Sequence, residues 1–232
     1  MERSVRGRLT ALFTKRPEPG RVKTRLVPFL SPEEAASLAE AMLADGVERC
    51  QAGPFETCLV VAPAEALAWA RARFPGLAVE PQQGPELGQR LAHFARRAFQ
   101  ELGARTLVIV GSDQPLVPLE RLVEAHAALE AGADVVLGPD GGGGYYLIGL
   151  SAPCDALFTE VRMSSAGMAE ATAALAHARG LRLERLARHD DVDTPADLRR
   201  LAVELAGSDS AFVRHTRALL RASRPDLSAP SP

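Results

Sequence analysis

Five cations and one carboxylate crowd into the stretch Lys15-Arg16-Pro17-Glu18-Pro19-Gly20-Arg21-Val22-Lys23-Thr24-Arg25. The chain as a whole carries a net charge of -2, so this local excess is not a by-product of a basic composition. A phosphate-bearing ligand is the simplest thing such a loop faces; a solvated surface loop is the alternative. Lys15, Lys23 and Arg25 are the candidates for phosphate contact, and Gly20 is placed with them in the phosphate-binding loop. Arg16 and Arg21 read equally well as solvent-facing. A second chemical group stands at Gly111-Ser112-Asp113-Gln114-Pro115, where Asp113 offers a hard oxygen ligand for Mg²⁺ or Mn²⁺, a cation that bridges to phosphates. Turns favour Asp for local hydrogen bonding. Here, however, a very apolar run ends at Asp113 and Pro115 stops the chain at once, which holds the carboxylate at a rigid edge. A third group is Pro139-Asp140 followed by Gly141 to Gly144. That run is either a flexible turn or a place where a ligand approaches backbone closely, and the second reading is preferred.

Other chemistries are missing. The glycines at 20, 84 and 88 fit neither G-x-x-x-x-G-K-[ST] nor G-x-G-x-x-G, which disfavours a Walker ATPase and a hydride-transferring dehydrogenase. There is no G-x-S-x-G elbow and no H-E-x-x-H. Cys50, Cys58 and Cys154 form no C-x-x-C pair and read as small buried hydrophobes rather than a disulfide framework or zinc site. The five histidines are scattered, and His189 alone lies beside acids. Metal-phosphate chemistry is what remains.

Such groups need elements to bring them together. Leu9 to Thr14, Thr57 to Ala62, Leu77 to Glu80, Thr106 to Val110, Ala133 to Gly138, Tyr145 to Leu150 and Leu181 to Leu186 read as strands. The run at 106–110 lacks polar alternation and so looks like a central strand covered on both faces. Between them lie helices. Ser31-Pro32-Glu33-Glu34 is a complete helix start with a capping box, Thr194-Pro195 is another, and Ser164 or Ser165 caps a helix running to about Ala178. Alternating strands and helices predict a three-layer α/β/α sandwich with a mostly parallel central sheet, in which the loops after the strands face one crevice.

At 232 residues, 47% hydrophobic and 24% charged, the chain has an ordinary enzyme-like composition, which argues against a nucleic-acid binder. Residues 1–222 are expected to form one domain and 223–232 a disordered tail. Arg3, Arg6 and Arg8 precede too short an apolar run for a signal peptide, and no stretch is long enough for membrane insertion. A cytoplasmic location is therefore expected. Oligomeric state is left open.

In order along the chain, K-R-P-E-P-G-R-V-K-T-R-L, S-P-E-E-A-A, L-G-Q-R-L, V-G-S-D-Q-P, V-V-L-G-P-D-G-G-G-G-Y-Y-L-I-G-L and D-V-D-T-P-A-D-L resemble the bacterial glycosyltransferase-A-like family known as radical-SAM-associated or arsenosugar-biosynthesis glycosyltransferases. The match runs over roughly residues 8 to 200. The resemblance implies a nucleotide-diphospho-sugar transferase fold acting on a nucleotide or nucleotide-sugar and a small-molecule acceptor. It places Lys15, Lys23 and Arg25 on the donor phosphates and Asp113 on the divalent metal, with Asp193 as a second acid near it. Gly88 and Arg90 go to the nucleotide side, and Gly143, Gly144 and Tyr145 to the acceptor side together with Asp140. Two positions depart from the family pattern. Gly142 replaces an acid, with Asp140 two residues earlier, and Met163-Ser164-Ser165 replaces Trp-Ser-Thr.

Three readings follow. In glycosyl transfer, Asp113, Lys23 and Arg25 stabilise a departing nucleoside diphosphate. In nucleotidyl transfer, a phosphorylated small molecule attacks a nucleoside triphosphate and pyrophosphate leaves. In the third, the chain is a degenerate nucleotide-binding protein that has lost a catalytic carboxylate. Asp140 and Asp191 are the candidates for a general base.

Overall fold

Apolar runs without polar alternation become inner strands, and the capped amphipathic segments become the helices that cover them. The computed structural model describes residues 7–27 and 29–223. Strand β1 (Arg8–Lys15) leads through the basic loop and a single 3-10 turn, Thr24–Leu26, into helix α1 (Pro32–Gln51). There follow β2 (Glu56–Ala62), α2 (Leu67–Arg73), β3 (Ala78–Pro81), α3 (Leu87–Gln100) and β4 (Thr106–Gly111). The second half comprises α4 (Leu119–Glu130), β5 (Val135–Pro139), β6 (Tyr145–Leu150), α5 (Ala156–Thr159), α6 (Met168–Ala178), β7 (Leu183–Arg185), α7 (Pro195–Ala206) and α8 (Arg214–Ser223).

The strands form one seven-stranded sheet in the order β3-β2-β1-β4-β6-β5-β7. All neighbours are parallel except β6, which runs antiparallel to both β4 and β5. As its composition requires, β4 lies at the centre, with both faces buried. Leu12, Leu59, Val108 and Val110 pack on one side with Leu43 and Val47 of α1 and Leu122 of α4. Ala11, Phe13, Val60, Leu107 and Ile109 pack on the other with Leu91 and Phe94 of α3 and Phe158 of α5. The sandwich is therefore three layers deep, as the sequence predicts.

Local signals act where the chemistry says they should. Ser31 Oγ accepts from the Glu34 amide at 3.1 Å while the Ser31 amide donates to Glu34 Oε2 at 2.7 Å, which closes the capping box at the start of α1. The outer face of α1 then packs Leu38 and Met42 against Leu198 and Leu201 of α7 and Leu220 of α8. Two expectations are corrected. Helix α6 begins at Met168 behind Gly167 (φ 88°) with no side-chain cap, rather than at a serine cap; Ser165 lies two residues before the cap position and donates its hydroxyl to the Arg162 carbonyl at 2.7 Å. Helix α8 also runs through Ser223, the first residue of the expected tail, and residues 224–232 lie outside those described. Among the described residues, no helix is long and apolar enough to cross a membrane.

Candidate active site

The carboxyl ends of β1, β4 and β5 and the start of the reversed β6 share one edge of the sheet, which brings the basic loop and the Asp113 turn together there. A cleft of about 610 Å³ opens at this edge, and its walls include Lys15, Arg21, Lys23, Arg25, Arg90, Asp113, Tyr145 and Asp193.

Packing behind the cleft brings its two most distant segments together. Leu26, at the end of the basic loop, and Val192, just before α7, are both buried in the cluster that joins α1, α7 and α8. Burial of a side chain of this kind stabilises by roughly 1.5–3 kcal/mol. With Leu26 and Val192 fixed, their neighbours Lys23 and Asp193 meet: Lys23 Nζ lies 3.0 Å from Asp193 Oδ1. The Val192 amide also donates to the Asp113 carbonyl at 3.2 Å, which ties the strand-end turn to the segment before α7. Asp193 is held from the other side, since its amide and that of Thr194 donate to Asp197 Oδ2 at 3.2 and 2.8 Å. This is the capping box of α7.

Lys23 is the pivot of the arrangement. Its ammonium sits 2.8 Å from Asp113 Oδ1 as well as 3.0 Å from Asp193 Oδ1, and its side chain is 4% exposed. Burial opposes its charge, but the two carboxylates more than offset this and hold the ammonium protonated, with its pKa raised. Arg25 stands further out, 3.7 Å from Asp193 Oδ2 and 71% exposed. In the basic loop Glu18 pairs with Arg16 and Arg21, at 3.4 and 3.2 Å, while Lys15 is an exposed part of the cleft wall. Asp191 is pushed up to about 6 by burial first and then by Asp193 and Asp140.

The two aspartates fit a divalent ion. Their oxygens already converge on one cationic centre, the Lys23 ammonium, and each keeps exposed surface where further oxygen ligands reach. Another group, Asp45, Glu48 and His215, brings three potential ligand atoms within 4.8 Å of one another. Its atoms are otherwise engaged. Asp45 accepts from the amides of His215 and Thr216 at 2.9 Å each, capping α8, and Glu48 binds Arg214 and His215.

Not every residue singled out in the sequence reaches the cleft. Gly20 (φ 74°) makes the turn of the basic loop but is not in the wall. Gly88 is buried against α5, where an added Cβ would stand 2.1 Å from the Phe158 carbonyl oxygen; its lack of a side chain serves helix packing. Asp140 folds back on its own loop, with Oδ1 accepting from the Gly142 and Gly144 amides at 2.8 Å each. The Gly143 carbonyl accepts from the Ala169 amide at 3.0 Å, near the start of α6. From that segment Tyr145 is in the wall, where its hydroxyl donates to Met163 Sδ at 3.8 Å. Arg90 also lines the cleft, yet its guanidinium is held by the Gly84 and Pro85 carbonyls at 2.7 and 3.0 Å.

Three supporting residues escaped sequence reasoning. Gln82 donates to the carbonyls of Thr14 and Val60 at 2.9 and 3.0 Å, bridging the ends of β1 and β2. Ser112 Oγ lies 3.2 Å from Thr14 Oγ1. Arg49 of α1, 2% exposed, donates to the Pro115 carbonyl at 2.9 Å and so props the Asp113 turn from beneath. The available signal was Arg49 itself, a charge interrupting the apolar stripe of Met42, Gly46 and Cys50 on α1.

Comparison with known proteins agrees with this architecture. The structure of a provisionally named nucleotide-diphospho-sugar transferase from Desulfovibrio desulfuricans G20 superposes with a TM-score of 0.88 at 31% identity, covering 96% of this chain and 97% of that one. More distant structures share the fold. A cytidylyltransferase from Leptospira borgpetersenii gives a TM-score of 0.55 at 11% identity, with 98% of each chain covered. CMP:2-keto-3-deoxy-manno-octonic acid synthetase, solved with CTP, also gives 0.55, at 13% identity over 86% of this chain and 98% of that one. No curated protein matches. With residues 44–165, more than half of the chain, fitting its family model, the chain belongs to the bacterial family DUF2064, described as "uncharacterized protein conserved in bacteria".

Proposed function

We propose that the protein is a transferase using a nucleotide-activated donor, and that it moves a sugar from a nucleotide-diphospho-sugar to a small-molecule acceptor with Mg²⁺ or Mn²⁺ as cofactor. The observation that carries this reading is the convergence of Asp113 and Asp193 on one cationic centre in a cleft also walled by Lys15 and Arg25. Kinship with the Desulfovibrio protein, at 31% identity over nearly the whole chain, supports the same class.

Asp113 and Asp193 would hold the ion, which when bound supplies charge neutralisation at the departing diphosphate. Lys15 and Arg25 would meet the negative charge that grows on the leaving group. The sugar carbon to phosphate-oxygen bond breaks, the acceptor oxygen takes that carbon, and the acceptor proton leaves with a base. Tyr145 and Met163 would face the acceptor.

The test is to incubate the protein with Mg²⁺ or Mn²⁺, nucleotide-sugars, nucleoside triphosphates and candidate acceptors, and to identify the product released. Nucleoside diphosphate is expected, and Asp113→Asn should lower turnover by roughly 100-fold or more with the fold intact. Pyrophosphate release would replace glycosyl transfer with nucleotidyl transfer. Should no nucleotide raise the melting temperature in either metal, both reactions fail, because a ligand of the folded state must stabilise it.

A further inference from the structure

The most buried charge in the cleft is a lysine, and it occupies the place where the two acids converge. The Lys23 side chain is 4% exposed, whereas those of Asp113 and Asp193 are 49% and 34% exposed. A divalent ion held by the same oxygens would stand within a few ångströms of the ammonium, and at that range two cations repel strongly. The two therefore compete for the same oxygens.

The loop carrying Lys23 has the means to give way. Lys23 adopts φ 48° and ψ 35°, a left-handed conformation that non-glycine residues enter only at a cost. Upstream, the Arg16 amide is fastened to the Ala62 carbonyl at 2.8 Å; downstream, Leu26 is buried. Between these anchors Gly20 (φ 74°) has nothing within 4 Å of where a Cβ would stand. The segment is thus strained at one residue, open at another and fixed at both ends.

We propose that Lys23 is a built-in competitor for the divalent ion: it neutralises Asp113 and Asp193 until donor phosphates draw its ammonium away, so the nucleotide governs metal affinity. The inference rests on the transferase reading for the identity of the anion, but not for the competition itself. Binding of nucleotide and metal is then positively coupled, and by linkage each tightens the other to the same degree. Lys15 and Arg25, already in the wall, make first contact with the phosphates, and Lys23 joins them as it leaves the aspartates.

The experiment titrates Mn²⁺ into metal-free protein and follows the free ion by electron paramagnetic resonance. Lys23→Met should bind Mn²⁺ alone at least about tenfold more tightly than wild type, within the 5- to 150-fold range usual for coupled sites. Adding Asp113→Asn to Lys23→Met should abolish the gain. Wild type should gain a similar factor when UDP, GDP or CDP is present, after correction for Mn²⁺ held by the nucleotide itself. Lys23→Gln repeats the measurement with a more polar side chain should the methionine protein fail to fold. Folded variants that bind Mn²⁺ no more tightly than wild type overturn the competition whether or not transfer is found. Tighter Mn²⁺ binding by the variants in a protein that performs no transfer would refute the proposed reaction and leave the competition standing.

Discussion

His126 makes the fold sensitive to mild acid in a way that is open to calculation. The ring is fully buried, with Nε2 3.0 Å from Thr10 Oγ1 and Nδ1 2.8 Å from Thr106 Oγ1. Burial, and secondarily the nearby Arg8, push its pKa down to about 4 from an ordinary 6.5, with Glu130 opposing. For a base whose pKa is depressed by folding, the unfolded chain binds the proton first. Stability should therefore be complete above about pH 6.5, fall as the pH is lowered, and stop falling below about pH 4 on this account. At about 1.36 kcal/mol per unit the loss comes to about 3 kcal/mol, a large share of the 5–15 kcal/mol typical of a domain. Urea unfolding at a series of pH values from 7 to 4 measures it. Other groups titrate in the window: Asp191, pushed up to about 6, works in the opposite sense, and Glu130, held low mainly by its hydrogen bond from Arg8, destabilises when protonated. The informative quantity is accordingly the difference between wild type and His126→Gln at each pH, which should shift by about 3 kcal/mol across the series. A constant difference would refute the reasoning, as would a ring that titrates near 6.5 by NMR.

Two further outcomes follow from packing around the cleft. Gly88→Ala should cost about 1–3 kcal/mol in urea unfolding, because its methyl would collide with the Phe158 carbonyl, while nucleotide affinity stays unchanged in protein that remains folded. Arg49→Met removes the donor to the Pro115 carbonyl, so it should destabilise by about 1–3 kcal/mol and weaken Mn²⁺ binding in a Lys23→Met background. Unaltered Mn²⁺ binding there would mean that Arg49 does not hold the Asp113 turn.

The sequence was most legible where one local cause decides one structure. Ser31-Pro32-Glu33-Glu34 and Thr194-Pro195 become capped helix starts because a cap needs only its own next three residues. Thr106 to Val110 becomes the central strand because a run with no polar face needs cover on both sides. Reversal of β6 was not legible, since apolar strands of either direction read alike when both faces are buried. Within the cleft, residue types at strand ends pointed to Lys15, Lys23, Arg25 and Asp113, and all four line it. What no pattern shows is how those charges share one another. That Lys23 would face the two aspartates depends on Leu26 and Val192 meeting in a core assembled from opposite ends of the chain. Gly88 and Gly143 illustrate the same limit, for a glycine spared for a ligand and one spared for a neighbouring helix look identical in sequence.

The reversed strand β6 divides the molecule by what variation it tolerates. In the β3-β2-β1-β4 half every connection is a crossover through a helix. Between β5 and β6 the chain only doubles back, through residues 140–144, and the pairing of Gly138 with Leu147 fixes the register beneath it. The tip itself packs on the start of α6: an added Cβ on Gly143 would stand 2.6 Å from the Gly167 nitrogen, so a side chain there must shift that helix start. A change at that tip is therefore felt first at the start of α6 rather than in the parallel half.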